Sequence, residues 1–190
     1  MNRAAEFRRR ARFLRQATNS ENVEITLRKA VSALAASNIP HFVIGGLAIQ
    51  ERGYPRFTSD VDLVVPSVEV AADALASAGF ERHQDDRRTA VVDPQTAVKV
   101  NLLPGGERID PGPLALPIPV RVSMTPRILP LRMLISMKLS TSIGLGMRGA
   151  RHLADAVELM KANSPARGFD VDPLVRSEYV RVWDELFQKL

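Results

Sequence analysis

Asp60 and Asp62 stand two residues apart in Asp60-Val61-Asp62-Leu63-Val64-Val65, a run whose apolar, β-branched content predicts a strand ending at Pro66. Residues two apart on a strand share a face, so the two carboxylates project together while Val61 and Leu63 turn the other way into a core. Adjacent carboxylates repel each other, and a divalent cation offsets that repulsion. Paired hard oxygens suit magnesium or manganese better than zinc, and magnesium characteristically also binds substrate phosphates, which makes a nucleoside triphosphate its natural companion. Upstream, Gly45-Gly46 closes the short apolar run Phe42-Val43-Ile44. A corner without side chains lets phosphate oxygens approach backbone N–H groups at the start of a following helix. Each signal alone has a plainer reading, since a double glycine makes a turn and an Asp-x-Asp pair at a strand edge is solvated. Their order and spacing together are more selective.

The elements that must hold these residues follow from periodicity. Val23, Leu27, Ala30, Val31 and Leu34 keep helical spacing, which predicts a helix over residues 23–36 that Ser37-Asn38-Ile39-Pro40 stops. Residues 42–44 predict a buried strand entering a tight turn, residues 47–51 at least a helical turn, and residues 52–59 a polar loop. After the strand at residues 60–65, a covering helix is expected over residues 68–78 with Gly79 as its stop. Two further strands, residues 89–92 and 97–103, are joined by the turn-forming Asp93-Pro94-Gln95-Thr96. Residues 104–119 hold five prolines and three glycines and read as a loop, followed by a short strand near residues 120–122. Beyond Pro126 the pattern is helical: Leu131, Leu134, Ile135, Leu139 and Ile143 form one stripe, and Leu153, Ala156, Val157 and Met160 another. Residues 173–190 predict a terminal helix whose Tyr179, Val180, Trp183 and Phe187 face a core or domain contact. The fold class is therefore α+β: a basic arm or helix over residues 1–21, a mixed-sheet domain over 22–125, and a helical module over 126–190.

Composition narrows the chemistry. The absence of cysteine excludes disulfides, thiol nucleophiles and cysteine-ligated clusters. His41, His83 and His152 are far apart in sequence and read as structural or surface groups. No apolar run approaches the roughly 20 residues that cross a bilayer, and no secretory signal is evident, so a cytoplasmic protein without a membrane partner is expected. The net charge of +5 is concentrated in the first 15 residues, where Arg3, Arg8, Arg9, Arg10, Arg12 and Arg15 face the single Glu6. Such an arm can attract RNA or an acidic protein surface, or simply be a solvated end.

Gly45-Gly46, a short helix, and then Arg56-Phe57-Thr58-Ser59-Asp60-Val61-Asp62-Leu63 resemble the signature of the DNA polymerase-β-like nucleotidyltransferase superfamily. The resemblance spans about residues 23–160, and its specific part is residues 45–63. The Arg56-Thr58-Asp60-Asp62 pattern and the helical carboxy-terminal part are most similar to the AbiEii-type nucleotidyltransferase toxins of abortive-infection systems, with antibiotic nucleotidyltransferases as the nearest competitor. The resemblance implies a mixed sheet with flanking helices and a helical domain closing over the cleft. It also implies transfer of a nucleoside monophosphate from a triphosphate such as ATP to a hydroxyl or phosphate acceptor, with release of pyrophosphate. Asp60 and Asp62 would hold magnesium, and Gly45, Gly46, Arg56 and the Thr58 or Ser59 hydroxyl would contact phosphates. The toxin likeness further implies tRNA, other RNA or a protein as acceptor, and a cognate antitoxin as partner.

Lys138 falls on the apolar stripe of its helix, where it either reaches into the cleft toward the triphosphate, as the resemblance suggests, or packs its stem and extends its amine to water. Arg151 and Asp155 are spaced for a surface ion pair, although the family pattern often places an acid there that faces the cleft. The loop Gly144-Leu145-Gly146-Met147-Arg148-Gly149 is a connector or a phosphate-approaching segment. One position departs from the pattern. Many of these enzymes carry a third carboxylate on a later strand, and the corresponding residue here is Asn101, which can offer a metal its carbonyl oxygen but cannot serve as a general base. Either two carboxylates and one metal suffice, or Asp93 or Asp155 substitutes, or the protein binds nucleotide without turning it over. Three functions are thus expected in order: a toxin-like nucleotidyltransferase, an antibiotic nucleotidyltransferase, and a catalytically weakened nucleotide-binding or partner-binding module.

Overall fold

The computed structural model describes residues 3–85, 88–108 and 111–188, with only the backbone described for residues 3–19, 84, 85 and 88. The arginine side chains of the basic arm lie outside the described residues. Helix α1 (Arg3–Ala36) leads into strand β1 (Phe42–Ile44), helix α2 (Gly45–Glu51), strand β2 (Asp60–Val65), helix α3 (Val68–Ser77) and strands β3 (Glu81–Asp85), β4 (Arg88–Val92) and β5 (Lys99–Pro104). Three helices follow: α4 (Leu131–Leu145), α5 (Ala150–Asn163) and α6 (Arg176–Phe187). Short 3-10 turns precede α5 and α6 at Gly146–Gly149 and Pro173–Val175.

The five strands form one mixed sheet in the order β1-β2-β5-β4-β3. Among the described strands, β2 and β5 are the parallel pair, a pairing that requires a long crossover, here supplied by α3 and the β3–β4 hairpin. Alternation along β2 splits the molecule into two cores. Val61, Leu63 and Val65 pack with α1 and α3 through Val31, Leu34, Ala72 and Leu75. Val64 faces the opposite side with Ile44, Ala48 and Ile49, against Leu134, Leu139, Leu159 and Tyr179 of the helical module. This is the α+β arrangement expected, a mixed sheet with flanking helices and a carboxy-terminal helical module.

Several elements differ from expectation. The double glycine is not a separate turn: α2 begins at Gly45 itself, whose φ of +67° is open to glycine at little cost. Strand β3 carries Glu-Arg-His-Gln-Asp and no apolar alternation, so only its backbone pairing with β4 at the sheet edge makes it a strand. Residues 120–122 form no strand, and Val120 is 79% exposed. The chain instead meets the sheet at Ile128, where Val43 N donates to Arg127 O at 2.8 Å and Leu129 N to Val43 O at 3.0 Å. Among the described residues, no helix is long and apolar enough to cross a membrane.

Candidate functional site

Strand register brings the first part of the site together. Asp62 lies directly opposite Asn101, and Asp60 opposite Lys99, so the two carboxylates and the amide share the face of the sheet turned away from α1. Asn101 is 5% exposed, and its Nδ2 donates to Asp60 Oδ2 at 3.1 Å and to Asp62 Oδ1 at 2.9 Å. Thr58 Oγ1 donates to Asp60 Oδ1 at 3.0 Å, which fixes that carboxylate from the other side. The glycine corner closes on the same group of atoms. A Cβ added to Gly45 would overlap Asp62 Oδ2, and one added to Gly46 would lie 2.5 Å from Thr58 Cβ. Glycine is required at both positions because the α2 backbone rests directly on the side chains of β2 and its preceding loop. Ser59, the other hydroxyl expected to contact phosphate, is exposed.

A second cluster joins that loop to the helical module. Arg56 Nη1 and Lys138 Nζ both donate to Asp155 Oδ2, at 2.8 and 2.9 Å, and the side chains of all three are at most 19% exposed. Gln50 on α2 holds the loop in place by donating through Nε2 to the Arg56 carbonyl. Burial pushes the Lys138 ammonium below the usual lysine range despite the attraction of Asp155, and Arg56 pushes it the same way. Asp62 also acts on Lys138, in the direction that favours its charge, which links the cationic cluster to the carboxylate pair. Lys138 is therefore neither snorkelling nor solvated. Asp155 does not form the expected surface pair with Arg151: it lies on the buried face of α5 with Ala156 and Leu159, while Arg151 stays exposed.

His152, read as a structural or surface group, is partly buried. Its Nδ1 is buried with no hydrogen-bond partner, and burial lowers its pKa, reinforced by the nearby Lys138 charge. Sequence spacing did not show that this ring lies near Lys138 and Asp155, nor the Arg56–Asp155 link, although Asp155 keeps the i, i+4 spacing of the buried Leu159, a signal of an inward-facing acid. Asp93, one proposed substitute for the third carboxylate, is fully buried but bonds to Lys29 on α1 at 2.8 Å, so it belongs to the other core.

Among the described residues, no group of three or more His, Cys, Asp or Glu side chains is placed to hold a metal. Two carboxylates on one face nonetheless fit a single magnesium-type ion, which commonly takes one or two carboxylates and completes its shell with water and substrate phosphates. Asn101 presents its N–H donors, not its carbonyl, to that position. The arrangement sets two carboxylates beside a side-chain-free backbone and a buried pair of cations, groups of the kind that a hard cation and a polyphosphate would engage.

No family model matches this sequence, and no curated protein matches it. Among solved structures the chain is similar to the antibiotic-resistance factor ANT(2'')-Ia in solution, with a TM-score of 0.52 and 16% identity over 87% of this chain and 91% of that one. It is likewise similar to ANT(2'')-Ia in complex with adenylyl-2''-tobramycin, with a TM-score of 0.53 and 16% identity over 90% and 98% of the two chains. At that identity the likeness establishes the fold, which is nucleotidyltransferase-like, and it does not single out the toxin branch.

Proposed function

We propose that the protein binds a nucleoside triphosphate together with one magnesium-type ion between β2 and the helical module, and that it transfers nucleotide slowly or not at all. The observation that carries this reading is the pair of hydrogen bonds from Asn101 Nδ2 to Asp60 and Asp62, in the place where the family resemblance puts a third carboxylate. Asp60 and Asp62 would hold the ion, which when bound stabilises negative charge developing on the transferred phosphoryl group. Gly45 and Gly46 let phosphate oxygens approach the backbone. Arg56 and Lys138 supply positive charge to the polyphosphate, while Asp155 keeps the two cations together when the site is empty of substrate. At position 101 an amide cannot take the proton of an attacking hydroxyl, as the carboxylate of the resemblance could, and general-base assistance is worth about 10²–10⁴-fold.

A second reading, nucleotidyl transfer to a tobramycin-class antibiotic, is supported by the likeness to ANT(2'')-Ia over most of both chains. A tRNA or protein acceptor and an antitoxin partner rest on the toxin resemblance alone. One experiment separates these readings. Each α-labelled nucleoside triphosphate is incubated with magnesium and either total RNA or an aminoglycoside, using the wild type and Asn101→Asp, with nucleotide affinity measured alongside. The expected result is saturable nucleotide binding by both proteins, with transfer at least about 100-fold faster in the variant. Strong wild-type transfer that the substitution leaves unchanged would refute the role given to Asn101, and the labelled product would name the acceptor.

A further inference from the structure

We infer that the Asn101 side chain acts as a built-in counter-cation, occupying the position a divalent ion would take between Asp60 and Asp62, so that metal is taken up with nucleotide and only weakly without it. The inference rests on the reading of this carboxylate pair as the metal site. A primary amide carries two hydrogens on one nitrogen, set at a wide angle, and here one is directed to each carboxylate. Two negative groups brought side by side on β2 thus share one partially positive bridge. Thr58 donates to Asp60 Oδ1, and Asp62 Oδ2 fills the space that a Cβ on residue 45 would need.

Asn101 cannot leave this position by swinging into water, because β5 is an interior strand between β2 and β4 and the residue is 5% exposed. A dication arriving alone must displace two charge-assisted hydrogen bonds on Asp60 Oδ2 and Asp62 Oδ1. The amide would then have to rotate, presenting its carbonyl or leaving its donors unsatisfied. A dication arriving with a triphosphate brings phosphate oxygens as extra ligands and as new acceptors for the displaced N–H groups. Metal and nucleotide are therefore coupled through one side chain, and the coupling is reciprocal.

The test is a manganese titration of the full chain, read from the paramagnetic resonance signal of free manganese, with and without a non-hydrolysable triphosphate analogue. Wild type, Asn101→Ala and Asn101→Asp are compared, with circular dichroism reporting that each is folded. Without nucleotide, Asn101→Ala should bind manganese about tenfold more tightly than the wild type, because the hydrogen bonds that compete for the carboxylates are gone. That direction is opposite to what loss of a metal ligand would give. Asn101→Asp should bind tighter still and show a larger manganese-induced rise in thermal midpoint. If Asn101→Ala binds manganese as weakly as the wild type or more weakly, the counter-cation role is overturned. Failure of all three proteins to bind the analogue would overturn the nucleotide reading, while the nucleotide-free comparison would still decide the role of the amide.

Discussion

Asp155 Oδ2 accepts from both Arg56 and Lys138, so one buried anion balances two cations. The asymmetry sets what each substitution does. Losing Lys138 leaves Asp155 its arginine, whereas losing the Asp155 charge leaves two buried cations facing each other. Asp155→Asn should therefore cost about 3 kcal/mol at neutral pH, as expected when one partner of a buried ion pair is removed. The pH dependence has a definite sign. Burial already holds the Lys138 pKa below its ordinary value, and a base with a lowered folded pKa binds fewer protons when folded than when unfolded. Stability then rises with pH between the folded and unfolded values. Removing Asp155's attraction lowers the folded value further, so the deficit of Asp155→Asn relative to the wild type should shrink from about pH 7 toward about pH 10. Urea denaturation at a series of pH values measures this, and a deficit that grows toward alkaline pH would contradict the buried, cationic Lys138.

Asn101 on β5 and Asp93 in the turn before it lie close in the chain but serve different parts of the molecule. Asn101 sits in the strand opposite Asp62, while Asp93, in the turn leading into the strand, is tied to Lys29 on α1. The β4–β5 turn is thus an anchor between sheet and helix, with Gln95 N also donating to Asp93 Oδ1 at 3.2 Å. Lys29→Met should lower stability by about 3 kcal/mol, because it leaves a fully buried carboxylate without its counter-charge. Nucleotide affinity of the folded protein should be unchanged, as measured by calorimetry below the unfolding transition. A selective loss of nucleotide binding would instead tie Asp93 to the site. Element boundaries show what periodicity can and cannot detect. The apolar, β-branched content of β2 predicts it as a strand, whereas β3 lacks such content and exists through backbone pairing, which side-chain pattern does not report.

The candidate site lies on one face of the sheet, and packed cores lie on both. The core on the α1 side packs behind Asp60 and Asp62, while the core of the helical module also carries Lys138 and Asp155. Leu34→Ala and Leu139→Ala each empty a fully buried position and should each cost about 2–5 kcal/mol. Only Leu139→Ala should also weaken nucleotide binding in the remaining folded protein, because Leu139 is the neighbour of Lys138 in α4; equal affinities in the two variants would show that the module does not shape the site. Periodicity along the chain by itself determined the α+β class, and the Asp-x-Asp spacing in a strand determined the shared face of Asp60 and Asp62, since side-chain alternation along a strand is a local property. Tertiary structure alone decided that Arg56 and Lys138 are the partners of Asp155, that Asp93 serves α1, and that Asn101 bonds to both carboxylates. Those outcomes depend on strand register and helix packing between residues far apart in the chain, which local spacing does not encode.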